Sequence, residues 1–311
     1  MKLRLLMVAA TLAAFAARDG RTAAESQDTT GTLQEVTVTA QRLNLNWGQR
    51  NALVQQVASF VYGITALENE EGLARWNTPI CPFEKGLAKE RGQFVIERFA
   101  QIVHTVGAPL GHVGCHPNLF IFVTTQPQEL LRLMEQHHFA VSFGNSTPSQ
   151  VDQFIAEPGP VWVWRNVSAR STGNIPFIGG RPPDSQVLGG GSISAPTYNS
   201  PGAMGASRLP SAVWSFDPVF VVVDQARMHG VTLEQFTDYV AMVSLAQIKL
   251  TPHFGEAQTI LKLFDSSSQS APAAMSDWDQ SFLQVLYHPE VSLAKEQSTI
   301  ALRMVRALVP R

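Results

Sequence analysis

The chain carries little charge. Asp, Glu, Lys and Arg make up 15% of its 311 residues, against roughly 25% in ordinary soluble domains. With 23 basic and 25 acidic residues the formal net charge is -2. The basic footprint of a nucleic-acid binder is therefore missing, and so is the charge density of a disordered chain. Long apolar runs are also missing after the first few residues. No later stretch reaches the ~18 apolar residues that would mark a membrane span. The familiar catalytic signatures are absent too: there is no G-x-S-x-G elbow, phosphate loop, dinucleotide fingerprint or H-E-x-x-H pair. Nothing in the sequence calls for a cofactor or a resident metal. Cysteine is nearly absent, with two in all.

What is present begins with an export address. Lys2 and Arg4 precede residues 5–17, which are apolar apart from Thr11, and Ala14, Phe15 and Ala16 supply the small-x-small pattern that a signal peptidase reads. The run is too short to cross a bilayer. Residues 1–17 are expected to be a signal peptide, cleaved near Ala16 or Ala17, with Ala24 as a later option. Export bears on the two cysteines. In an oxidising compartment Cys81 and Cys115 are expected to pair, and closing a loop of about 35 residues contributes about 3–4 kcal/mol. Free or buried thiols are one alternative. A metal site is another, since His112 and His116 flank Cys115, but Pro109, Gly111 and Gly114 disfavour a helix that would align the two imidazoles.

Residues 18–47 read as a flexible tail, polar and Gly-containing up to residue 32. Within it, Glu35, Val36, Thr37, Val38, Thr39 and Ala40 alternate apolar and polar side chains with the period of a strand. The stretch 33–42 resembles the TonB box of outer-membrane TonB-dependent receptors. That resemblance implies strand addition to a TonB-like periplasmic protein and a Gram-negative source, with the chain periplasmic or secreted. The remaining chain is too short for a 22-stranded receptor barrel. An ordinary tether or edge strand is the alternative.

Residues 48–311 read as a single globular domain. Helical periodicity covers residues 51–67, 86–106 (interrupted early by Gly92), 126–138, 148–157 and 232–248, with shorter helical pieces at 257–264, 276–287 and 293–308. Thr232 and Gln235 form a capping-box signature at the start of the best of these helices. Strands are expected at 118–125, 161–164 and 219–224. Two of them have continuous apolar centres, as in a sheet covered on both faces. In residues 171–210, half of the positions are Gly, Pro or Ser. That is a long loop, either an excursion or a cover for a site. Strands alternate with helices, so the fold class is α/β or α+β, with one mixed sheet flanked by helices.

The chemistry-bearing residues are sparse. Asp217, Asp224, Glu234 and Asp238 fall within 22 residues. Asp224 closes a buried strand, where sites of α/β sheets gather, and Asp238 lies in the second turn of the following helix. Together they could serve a hydrolase as an acid/base pair or bind a metal, or be a loop cap and a solvated helix residue. His137 and His138 suit a solvated helix C-terminus, and Trp162 and Trp164 suit a core.

From residue 219 onward, the order of buried strand, capped helix, residues 259–265 and residues 275–289 resembles the C-terminal part of an uncharacterised exported bacterial family related to zinc metallopeptidases. Cys115, His116, Pro117 and Asn118 leading into a strand are similar to uncharacterised alphaproteobacterial secreted proteins. The resemblance implies a metallopeptidase-like scaffold. Zinc peptidases place two His four residues apart on one helix, with a Glu beside the first. Here that helix carries Asp238, Tyr239, Val240, Ala241 and Met242. The scaffold is thus expected to lack its metal and to serve as a noncatalytic binding or envelope-accessory protein.

Overall fold

Residue alternation in three strands decides the layering. In the computed structural model the described residues are 46–66, 73–139, 143, 146–171, 212–249, 252–265, 271–288 and 296–309. The expected signal peptide, residues 18–45 of the tail with the TonB-box-like stretch and all but the first residue of the 171–210 loop lie outside them; the last two tail residues, Asn46 and Trp47, are the N-cap and first residue of a helix. Seven helices and four strands are described. They are α1 (Trp47–Ile64), β1 (Pro82–Lys85), α2 (Lys89–Val106), β2 (Leu119–Thr124), α3 (Pro127–Gln136), α4 (Pro148–Ala156), β3 (Val161–Ser171), β4 (Ala212–Asp224), α5 (Leu233–Leu245), α6 (Asp277–Tyr287) and α7 (Glu296–Leu308).

The strands form one mixed sheet in the order β1-β2-β4-β3. The first two pairings are parallel and β3 runs antiparallel to β4. Odd-numbered Leu119, Ile121, Val219, Val221 and Val223 face a large core shared with α1, α2, α5, α6 and α7. Even-numbered Phe120, Phe220, Val222, Trp162 and Trp164 face a smaller core with α3 and α4. Helices on both faces explain why β2 and β4 have continuous apolar centres. Both tryptophans of β3 are core residues, 5% and 1% exposed.

Several expectations are sharpened. The helix start at Thr232 is a true capping box: the Thr232 hydroxyl accepts from the Gln235 amide and the Gln235 side chain accepts from the Thr232 amide. Gly92 does not interrupt α2. It sits inside the helix where Glu84 packs, and a Cβ there would fall 2.2 Å from Glu84 Oε2. Residues 257–264 form a 3-10 turn at Ile260–Phe264 rather than an α-helix. The strand around 161–164 extends to Ser171 and that around 219–224 begins at Ala212, so two long antiparallel arms flank the loop. Strand β1 is not among the strands expected from the sequence. Its four residues alternate half-buried and exposed, too short a pattern to read.

Cys81 and Cys115 are disulfide-bonded, with Cα atoms 5.9 Å apart. The bridge joins the entrance of β1 to the turn before β2. Asn118 braces the same junction: its Oδ1 accepts from the Cys81 amide at 2.7 Å and its Nδ2 donates to the Pro79 carbonyl at 3.0 Å. The thiols are therefore committed to each other, and the His112/His116 metal alternative falls away. Both imidazoles are exposed.

Candidate functional site

Asp224 and Asp238 have separate partners. Asp224 is half-buried and caps the turn after β4: its Oδ1 accepts from the Ala226 amide at 2.9 Å. Asp238 is fully buried, which corrects its reading as a solvated helix residue. Arg98 on α2 holds it bidentately, Nε to Oδ1 at 2.6 Å and Nη2 to Oδ2 at 2.8 Å, and the Met275 amide donates to Oδ2 at 2.5 Å. Arg98 also meets Glu234 at 2.9 Å. Hydrogen bonding to Asp238 raises the Arg98 pKa above its ordinary value. Both Asp238 oxygens are occupied by donors that lock α5 onto α2. Asp238→Asn is therefore expected to lower stability by about 2 kcal/mol, because one charge-assisted bond is lost and an NH2 group faces a donor. A urea melt measures this. An unchanged midpoint would return Asp238 to the list of uncommitted carboxylates.

Among the described residues, no three His, Cys, Asp or Glu side chains gather closely enough to hold a metal ion. His137 and His138 are exposed at the end of α3, the solvated helix end that their position suggests.

A cleft of about 430 Å³ lies elsewhere, along the outer side of β3. Its floor follows from the ladder. The Asp224 amide donates to the Pro160 carbonyl, so residues 160 and 224 form a hydrogen-bonded antiparallel pair. The bonded pairs alternate with unbonded ones. Residues 162 and 164 therefore point their main-chain groups at β4, whereas Val161 and Val163, opposite Val223 and Val221, point theirs away from it. Among the described residues no strand pairs with this side of β3. The cleft thus has main-chain donors and acceptors on its floor.

Two walls rise from that floor. One comes from α4 and the segment after it, with Phe154, Glu157 and Pro158 beside Trp162. The other comes from α5 and its surroundings, with Tyr239, Phe254, Leu261 and Phe264. The Tyr239 and Phe264 rings meet edge to face at 4.9 Å. Beneath the second wall lies Arg165, which β3 turns toward the large core. Its Nε and Nη2 donate to the Val243 carbonyl at 3.0 and 2.6 Å. A cation is thereby placed at the negative end of the α5 dipole. Burial draws the Arg165 pKa down to about 10 and pushes the Tyr239 phenol up to about 12. At neutral pH the guanidinium is charged and the phenol neutral.

Sequence reasoning missed this cleft. The available signals were an arginine inside the apolar run of residues 161–167 and the Pro158-Gly159-Pro160 break before it. Which main-chain groups face outward depends on strand order, which no local pattern carries. No protein-family model, curated protein or solved structure matches the chain.

Proposed function

We propose that the protein is a noncatalytic, exported peptide-binding protein of the Gram-negative envelope. It would take an extended segment of a partner along the outer side of β3, on a peptidase-like scaffold without its metal. The observation that carries this is the outward-facing main chain of Val161 and Val163 on the floor of a cleft of about 430 Å³. An added strand satisfies such groups, while flanking walls receive its side chains. The engagement of Asp224 and Asp238 in capping and ion pairing favours binding over hydrolysis. The Cys81–Cys115 disulfide is compatible with an oxidising compartment. No helix among the described residues is long and apolar enough to cross a membrane. Residues 33–42 are proposed as a second contact, a strand offered to a TonB-like periplasmic protein.

Val161→Pro tests the cleft. The substitution removes an N–H that faces away from β4, so the ladder inside the sheet keeps its bonds, and Pro160 before it is already extended. Fluorescence anisotropy with a labelled pool of random octapeptides reads the binding. The variant is expected to bind about fivefold to tenfold more weakly, the worth of a lost hydrogen bond and a disturbed neighbour, with its urea midpoint nearly unchanged. Equal binding by the variant overturns main-chain pairing. Cleavage of the octapeptides by the wild type, seen by mass spectrometry, overturns the noncatalytic reading.

A further inference from the structure

A strand laid along the outer side of β3 would alternate its side chains between the two walls, and the walls differ in chemistry. The α5 wall is largely apolar, with Tyr239, Phe254, Leu261 and Phe264. Its charged groups are engaged: Arg165 donates to the Val243 carbonyl and Lys249 Nζ donates to the Tyr62 carbonyl at 2.7 Å, while Asp265 has a partner of its own. On the α4 wall the one lining charge among the described residues is Glu157. It is exposed, and its carboxylate has no ion-pair or hydrogen-bond partner among the described residues. It is also the C-cap of α4, so the negative end of that helix dipole adds to its field. Its main-chain carbonyl is taken by the Trp162 indole N–H at 3.1 Å, which holds the residue against the cleft floor.

We infer that the cleft selects extended peptides that alternate a bulky apolar residue with a basic one. The apolar side chains lie on the Tyr239–Phe264 wall and a Lys or Arg faces Glu157. This inference rests on the peptide-binding reading above and adds the chemical class of the ligand. Glu157 acts from the surface, so replacing it leaves the core intact.

The experiment titrates wild type, Glu157→Gln and Glu157→Lys with three labelled octapeptides, alternating Leu with Lys, Leu with Glu, and Leu with Thr. For the wild type the Leu/Lys peptide is expected to bind tightest, by about threefold to fivefold over Leu/Thr at low salt, the scale of one exposed ion pair. The advantage should shrink near 0.5 M salt, as screening requires. Glu157→Gln should level the three, and Glu157→Lys should place Leu/Glu ahead of Leu/Lys. If the Leu/Lys preference survives Glu157→Lys, the charge selection is overturned, while the cleft itself stands provided Val161→Pro weakens all three peptides. If none of the three binds, or if Val161→Pro leaves them unaffected, the cleft reading falls and this inference falls with it.

Discussion

Glu296→Ala is expected to destabilise the protein by about 3–5 kcal/mol, the scale of a buried ion pair broken on one side. The Glu296 side chain is 1% exposed and meets Arg75 Nη2 at 2.7 Å. Its other oxygen accepts from the Leu73 amide at 2.5 Å. Arg75, itself 10% exposed at the side chain, uses Nη1 for the Leu286 carbonyl at 2.6 Å. The carboxylate ties residues 73–75 to the start of α7, and its arginine ties them to the end of α6. Without it, a buried guanidinium keeps its charge and loses its counter-ion, and the Leu73 N–H loses its acceptor. Urea melts with an unchanged slope should show the loss as a lower midpoint. The double variant Arg75→Met with Glu296→Leu should recover much of it, because apolar side chains of similar volume remove the uncompensated charge. If Glu296→Ala costs less than ~1 kcal/mol, the pair is not the clamp described.

The second large effect concerns the disulfide. Replacing Cys81 and Cys115 together by Ser is expected to cost about 3–4 kcal/mol, the chain-entropy value for a loop of this length; the bridged residues are 34 apart in sequence. The loss should appear as a lower urea midpoint for the double variant and, equally, for wild type unfolded in dithiothreitol. Thiol titration of the unfolded, unreduced protein should find essentially no free thiol. Two free thiols per chain would remove the bridge and with it the argument for an oxidising compartment.

These two restraints differ in how visible they are in the sequence. The disulfide needs only a count of two cysteines and an export address. The Arg75–Glu296 pair joins residues 221 positions apart, and no periodicity links them. The same contrast runs through the molecule. The capping box at Thr232, the apolar strand at 219–223 and the core placement of Trp162 and Trp164 are local facts, set by side chains a few residues apart. The Arg98–Asp238 pair spans 140 positions, so Asp238 reads as one more polar residue on a helix until α2 is placed against it. Gly92 reads as a helix breaker because the tip of Glu84, which occupies the missing Cβ, belongs to another element. The cleft along β3 is the furthest from sequence, since it depends on strand order, on which alternate groups face outward, and on walls drawn from α4 and α5 together.

The sheet's central pairing also sets an order of assembly. β2 lies beside β4 with Leu119 opposite Val219 and Phe120 opposite Phe220, partners a hundred positions apart. β1 and β2 pair across 37 positions, Pro82 opposite Leu119, and are joined by the bridge at their entrances. A chain emerging N-terminus first can therefore close and oxidise the β1–β2 unit long before β4 exists. Until residue 224 has emerged, the side of β2 that β4 will cover offers unpaired main chain between Ile121 and the Phe120/Phe122 stack. Such late, non-local pairing slows folding and leaves an adhesive strand exposed meanwhile. The demand for protection falls on the nascent half-sheet, and the speed with which the last third of the chain arrives governs the yield of native protein.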